Sequence, residues 1–290
     1  MTNGEVVKAT EAEVPRPKTS TPHPLLTEAV PIDDHCSGDR WAAQNEALLA
    51  KLVAIVAMGQ AGHAANILKT LLPAPPSINN DDLRREAKVR LTVQDVVQKS
   101  RMGYPRWQRD GFIFQVISWI VARQNHGGLA FIKSPPVSAT SQGLDGLMIE
   151  LSDDKSTVIM TTVFEDKCTE NPRNTFLEDV IPAFLDRHKG KRSVELIDTA
   201  DALLRMAGID DAAVAQLAAA VIDRNRRRYR AAFALTEERD SQQEREKLFK
   251  GYDALDDISK SQRVGASLIV SGAASRMVRC LGFAGHWLSG

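Results

Sequence analysis

The sequence is short of cysteine pairs, of net charge and of any long apolar run, and each shortage removes a class of protein. Its three cysteines, Cys36, Cys168 and Cys280, are odd in number, far apart and never in CxxC spacing. That excludes a disulfide framework and a cysteine-rich zinc site, and such usage suggests a reducing cytoplasm. With 37 basic and 37 acidic residues the formal charge is zero, so no chain-wide field points to nucleic acid or membrane and any basic surface must be local. The most apolar segment, Leu48 to Met58, is too short to span a bilayer and carries Lys51. The first thirty residues mix charge, Pro and Thr without an apolar stretch of the secretory kind. The expectation is a soluble chain with no membrane partner. Motifs are missing as well: there is no GxxxxGK[ST] phosphate loop, no GxSxG elbow and no HExxH helix.

What is there is a 43% hydrophobic chain of 290 residues, enough for a sizeable core. Residues 1–38 hold five prolines among Thr, Ser, Glu and Lys, a composition expected to form a flexible arm. Residues 39–103 read as a helical N-terminal region. Apolar positions from Trp41 to Leu72 recur at helical spacing with a break near Gly59 to Gly62, and Asn80 or Asp81 can cap a charged helix running through Lys88. Tyr104 to Gln124 has a wide apolar face, as a deeply buried helix does. After NHGG the period switches to two, predicting strands over 129–132, 143–151 and 157–168, the last two joined by a hairpin turn at SDDKS. A helix over 174–187, two more over 193–206 and 210–224, a strand over 229–236 and a helical stretch near 241–251 follow. The remaining C-terminal residues, rich in Ala, Gly and Ser, fit strand or helix equally.

Two features invite a chemical reading. VAIVAMGQAGHAA, Val53 to Ala65, has the look of a dinucleotide-binding turn. Its first glycine position is Ala57, the preceding chain is helical, and the acid expected about twenty residues on falls in a loop, so the glycines mark a break between helices. The second feature is an acid two residues before a lysine, which occurs at Glu86/Lys88, Asp153/Lys155 and Glu165/Lys167. The first two lie on a charged helix and in a turn, where solvation explains them. Glu165 and Lys167 end an apolar strand, TVIMTTVFEDK, where charge is costly to bury. Strand residues i and i+2 share a face, so these two emerge together while Asp166 points away. Pairing through the SDDKS turn brings Asp145, held in GLDG, to the same end. Counted from Asp154 it lies nine residues back and Glu165 eleven forward, an offset that register or a bulge can absorb. Two converging carboxylates repel, and a hard divalent cation is the usual resolution.

An acid on one strand and (D/E)-x-K on the next resembles the signature of the PD-(D/E)XK nuclease superfamily. The order of predicted elements over residues 104–236, helix, three strands, helix, strand, is similar too, with Leu144 where the signature has Pro and helices over 193–224 as an insertion. The resemblance implies an α/β, restriction-endonuclease-like core, a mixed sheet flanked by helices, with N-terminal and inserted helices and a C-terminal extension over 237–290. It implies a metal-dependent nuclease acting on DNA in preference to RNA, with Mg²⁺ or Mn²⁺ held by Asp145, Glu165 and the backbone carbonyl of Asp166. Lys167 would orient or help deprotonate the attacking water, and Gln115 on the preceding helix, or Asp110 in its place, would complete the site. Arg173 and the run RNRRRYR, with Arg226, Arg227, Arg228 and Arg230, are the residues expected to meet nucleic acid, with KGKR at Lys189 to Arg192 as a lesser candidate. More loosely, the layout resembles the nuclease subunit of Hachiman-type antiphage systems, which implies a separate helicase or ATPase subunit as partner. The alternative is a catalytically inactive nucleic-acid-binding or assembly module of the same fold.

Overall fold

A computed structural model of the chain describes residues 22–72, 74–96, 102–136 and 143–270. Residues 1–21 of the expected arm, the last twenty residues and Cys280 lie outside that range. The chain is α/β, built on a seven-stranded mixed sheet. Strands β1 (Leu25–Val30) and β2 (Ser37–Ala43) precede three helices, α1 (Glu46–Ala57), α2 (Ala61–Thr70) and α3 (Asp81–Leu91), and the long α4 (Arg106–Asn125). Strands β3 (Ala130–Ile132), β4 (Gly146–Leu151) and β5 (Val158–Lys167) follow as an antiparallel meander. A helical crossover of α5 (Pro172–Thr175), a π-helical turn (Phe176–Val180) and α6 (Ile181–His188) leads into α7 (Ser193–Met206) and α8 (Asp211–Ala220). Then come β6 (Arg227–Thr236), α9 (Gln242–Phe249) and β7 (Arg263–Val270). The sheet order is β1-β2-β7-β6-β5-β4-β3. Strands β5, β6, β7 and β2 are parallel neighbours, and the two edges are antiparallel.

Alternate strand residues feed two apolar layers. Met148, Phe164, Ala232 and Ala266 join Leu25, Trp41 and helices α1 to α4 in one cluster. Leu147, Ile149, Val163, Ala231 and Phe233 join residues of the crossover, α7, α8 and α9 in the other. With both faces covered, the central strands are buried along nearly their whole length, as parallel strands require. Helix α1 is apolar on nearly every side, Lys51 excepted, because other elements cover most of it, and nine of its twelve residues are buried. Asn45 caps it through the Leu48 N–H, and Gly59, at φ +78°, ends it in the left-handed conformation that glycine adopts freely. The GxxG feature is therefore a helix break. Asn80 caps α3 by accepting from the Asp82 and Leu83 N–H groups.

Three expectations need correction. The arm does not extend to residue 38, because Leu25–Val30 and Ser37–Gly38 already belong to the sheet; Trp41 lies in β2 rather than a helix, buried at 1% exposure. The C-terminal extension supplies β7, inserted between β2 and β6, so the sheet runs far beyond residues 104–236. The segment after β5 is not a uniform α-helix: Pro172, Phe176, Val180, Phe184 and His188, all buried, sit four apart. A strict α-helix would drift by about 40° at each such step, and the wide turn at Phe176–Val180 takes up the drift. Among the described residues no helix is long and apolar enough to cross a membrane.

Candidate active site

The site stands where β4 begins and β5 ends. Gly146 pairs with Phe164, which puts Asp145 directly across from Glu165. One residue of the two-residue offset is absorbed by a bulge, where Glu150 pairs with Met160 and Leu151 with Val158, leaving Ile159 unmatched; the other is absorbed by the turn, which centres between Asp154 and Lys155. Gly146 is needed at the crossing, because a Cβ there would run into the Phe164 ring. Gly143, at φ +126°, starts the GLDG turn in a conformation that side chains disfavour. From the inserted helix α7, Glu195 Oε1 accepts the Leu144 N–H at 3.0 Å, and Lys133 Nζ donates to the Leu144 carbonyl at 2.7 Å. The loop that presents Asp145 is thus held from two other elements, neither of which carries a motif that would mark it in sequence.

Lys167 Nζ lies 3.1 Å from Asp145 Oδ2 and 2.9 Å from Glu165 Oε2, so both carboxylates meet on one ammonium. Gln115 Nε2, reaching from α4, donates to Asp145 Oδ1 at 2.8 Å, and the Asp166 N–H donates to Oδ2 at 3.0 Å. Glu165 Oε1 accepts from Arg187 of α6 at 2.7 Å. Glu165 and Arg187 are 7% and 1% exposed at their side chains, Asp145 15% and Lys167 29%, so only the lysine end of the cluster opens to solvent. Burial, and then Glu165 across the pair, push the Asp145 carboxyl up to about 6. Burial acts on Glu165 in the same sense, but the ion pairs with Lys167 and Arg187 outweigh it and hold that carboxyl below its ordinary range. Burial would strip the Lys167 proton, yet Asp145 and Glu165 more than compensate and keep the ammonium charged.

The sequence argument that a metal is needed to offset buried charge is therefore incomplete: Lys167 and Arg187 match Asp145 and Glu165 one for one. Arg187 escapes notice because it reads as a basic residue closing a helix. Asp166, on the opposite face as the alternation predicts, accepts from Ser118 Oγ at 2.6 Å and pairs with Arg230 at 3.3 Å. Its side chain is absent from the carboxylate pair, so Asp166 takes part there only through its backbone: the N–H already given to Asp145, and the carbonyl. Asp110 pairs with Arg109 at 2.6 Å and takes no part in the Asp145 cluster.

The arginine run is mostly structural, which corrects the nucleic-acid reading residue by residue. Arg227 is fully buried and donates to the carbonyls of Arg187 and Val221. Arg230 is 7% exposed, bonds Ser118 and Asp166, and lies 3.6 Å over the Phe164 ring. Neither can reach a phosphate. Arg228 pairs with Glu150 at 3.2 Å, and Arg173 donates to the carbonyls of Leu248 and Lys250, so both already have partners in the fold. Arg226, its side chain 43% exposed, reaches solvent but also pairs with Asp223 at 3.5 Å and donates to the Val158 carbonyl. In KGKR, Lys191 and Arg192 pair with Asp186 and Glu195. The arginines resemble a binding stripe in sequence because the strand begins two residues earlier than its apolar pattern suggests.

For a hard cation the donor set offers two facing carboxylates, and the described residues hold no group of three or more His, Cys, Asp or Glu placed to bind a metal. Two carboxylates with a backbone carbonyl are still a chemically suitable oxygen set for Mg²⁺ or Mn²⁺. Burial drives Asp145 upward first and the facing Glu165 carboxylate second, and the second contribution is the one a divalent ion would relieve. No protein-family model matches the chain, and no curated protein matches it.

Proposed function

We propose that the chain is a metal-dependent nuclease that hydrolyses phosphodiester bonds, in DNA before RNA, on a restriction-endonuclease-like core. The observation that carries the proposal is the meeting of Asp145 and Glu165 on the single ammonium of Lys167 at paired strand ends. The surrounding order supports it: α4, the meander β3-β4-β5, a helical crossover, then β6 parallel beside β5. Asp145, Glu165 and the Asp166 carbonyl would hold Mg²⁺ or Mn²⁺, which when bound supplies Lewis-acid polarisation of a phosphate and a more acidic water. Gln115 fixes one oxygen of Asp145 and Arg187 one oxygen of Glu165, so both carboxylates are oriented before any ligand arrives. Lys167, kept charged between them, is suited to orient water and offset negative charge at the reacting phosphate rather than to accept a proton. The chain carries no phosphate-loop motif of its own, so any unwinding step in a restriction or antiphage setting falls to a separate helicase or ATPase subunit.

A second reading, a nucleic-acid-binding or assembly module without cleavage, is favoured by Arg187, which leaves the cluster charge-balanced with no ion. Nicking of duplex plasmid and of circular single-stranded DNA in Mg²⁺ or Mn²⁺ separates the two. The wild type should nick, and Lys167→Ala should lose about a hundredfold or more of the rate. Equal products from both proteins, or none from either, remove the enzyme.

A further inference from the structure

Past the Lys167 end of β5 lies a pocket of about 670 Å³, within the size range of ligand sites, that the proposed chemistry does not use. It opens at the carboxyl ends of β5, β6 and β7 and is framed by the first turns of α4. Cys168 and Thr169, which follow Lys167 directly, form part of its wall. Leu235 contributes to an apolar floor, and Arg106, Arg239 and Asn171 supply donors. Trp107 also lines the pocket, although it is 71% exposed, far more than an indole needs for packing.

A large exposed aromatic ring beside two arginines is a poor core element and a good stacking platform. Bases of any sequence stack on an aromatic face, while arginines meet the backbone. The charge balance allows it. Asp110 faces the pocket already paired with Arg109, Glu170 is a further acid in the wall, Arg106 lies 3.9 Å from Asp95, and Arg239 makes no ion pair with another described residue. A base inside a duplex is stacked on both faces and has none free for Trp107, whereas an unpaired base has.

Resting on the nuclease reading, we infer that this pocket receives an unpaired nucleotide of the strand whose phosphate lies at Asp145, Glu165 and Lys167. The substrate class is then single-stranded nucleic acid, or the unpaired end of a duplex. The same α4 carries both Trp107 and Gln115, and the same β5 exit carries both Lys167 and the pocket wall, so strand position at the pocket and at the carboxylates is set by one pair of elements.

The test measures binding of the full chain in EDTA, where no cleavage can occur, to a mixed-sequence single-stranded oligonucleotide, its blunt duplex and a mononucleotide. The single strand should bind at least about tenfold tighter than the other two. Trp107→Ala should lose about tenfold, Trp107→Phe should retain most of the affinity, and Arg239→Ala should weaken binding and lower the salt slope by about one. The exposure of Trp107 makes its variants safe for folding, which urea unfolding checks. Unchanged single-strand affinity in Trp107→Ala, or equal affinity for duplex or mononucleotide, overturns the inference. Cleavage of the same oligonucleotides in Mg²⁺ is read separately: binding through Trp107 without any cleavage refutes the nuclease, whereas cleavage indifferent to Trp107 refutes the pocket.

Discussion

Arg187 determines how the pair Asp145 and Glu165 is held. A carboxylate 7% exposed at its side chain would be untenable alone, and its two cations come from different places: Lys167 from the same strand, Arg187 from a helix twenty-two residues further on. Removing one partner of a buried pair leaves the other uncompensated, which costs about 3–5 kcal/mol. Arg187→Met should therefore lower the urea-unfolding free energy by about that much, and adding Glu165→Gln should recover most of the loss. A double variant no more stable than Arg187→Met would show that the arginine acts through packing and not through Glu165. Legibility at this scale follows distance along the chain. Glu165 and Lys167 could be placed on one face because strand geometry alone relates i to i+2, and Asp166 on the other for the same reason. Arg187, Ser118 and Arg230 meet these residues only through tertiary packing, and no local pattern in LDRHKG or RNRRRYR announces it.

Elements were legible where their periodicity is long and obscured where two requirements share one segment. Helix α4 and the β4-β5 hairpin follow from sequence, and one residue of the counted two-residue mismatch between Asp145 and Glu165 reappears as the bulge at Ile159. The crossover shows the opposite case, since burial at every fourth position satisfies helix and packing together only through a π-helical turn. The GLDG turn shows a close neighbour deciding a glycine: at Gly146 that neighbour is the Phe164 ring. Gly146→Ala should force β4 away from that ring and cost about 1–3 kcal/mol by overpacking. Because Asp145 is the next residue, its bonds to Lys167 and Gln115 should loosen as well. Urea unfolding measures the first effect. The second should show as nicking activity reduced further than the population of unfolded protein explains; a variant as stable and as active as wild type would remove the close-packing argument.

For the whole molecule, the sheet is assembled from both ends of the chain, and this is what composition hid. Strand β1 is a short edge strand following a proline-rich stretch, and β7, RVGASLIV, looks too small and polar for an interior strand. Its small residues are there because neighbours crowd it: a Cβ at Gly265 would meet the Phe249 ring and Ile32, and Ser267 is fully buried. Strand β7 pairs with β6 from Tyr229 opposite Arg263 to Thr236 opposite Val270, and with β2 on its other side. Residues 104 to 236 alone would expose the whole inner edge of β6 and strip α4 of the cover given by α1 and α2, although that segment holds every proposed catalytic group. An unpaired apolar edge of that length is a template for aggregation. The fragment 104–236 should elute as large aggregates on size-exclusion chromatography and melt without cooperativity, whereas a fragment of residues 22–270 should remain monodisperse and unfold in one transition. If 104–236 proved monodisperse and cooperative, the outer strands would be an accessory layer, and the boundaries read from sequence would describe the folding unit better than the seven-stranded sheet does.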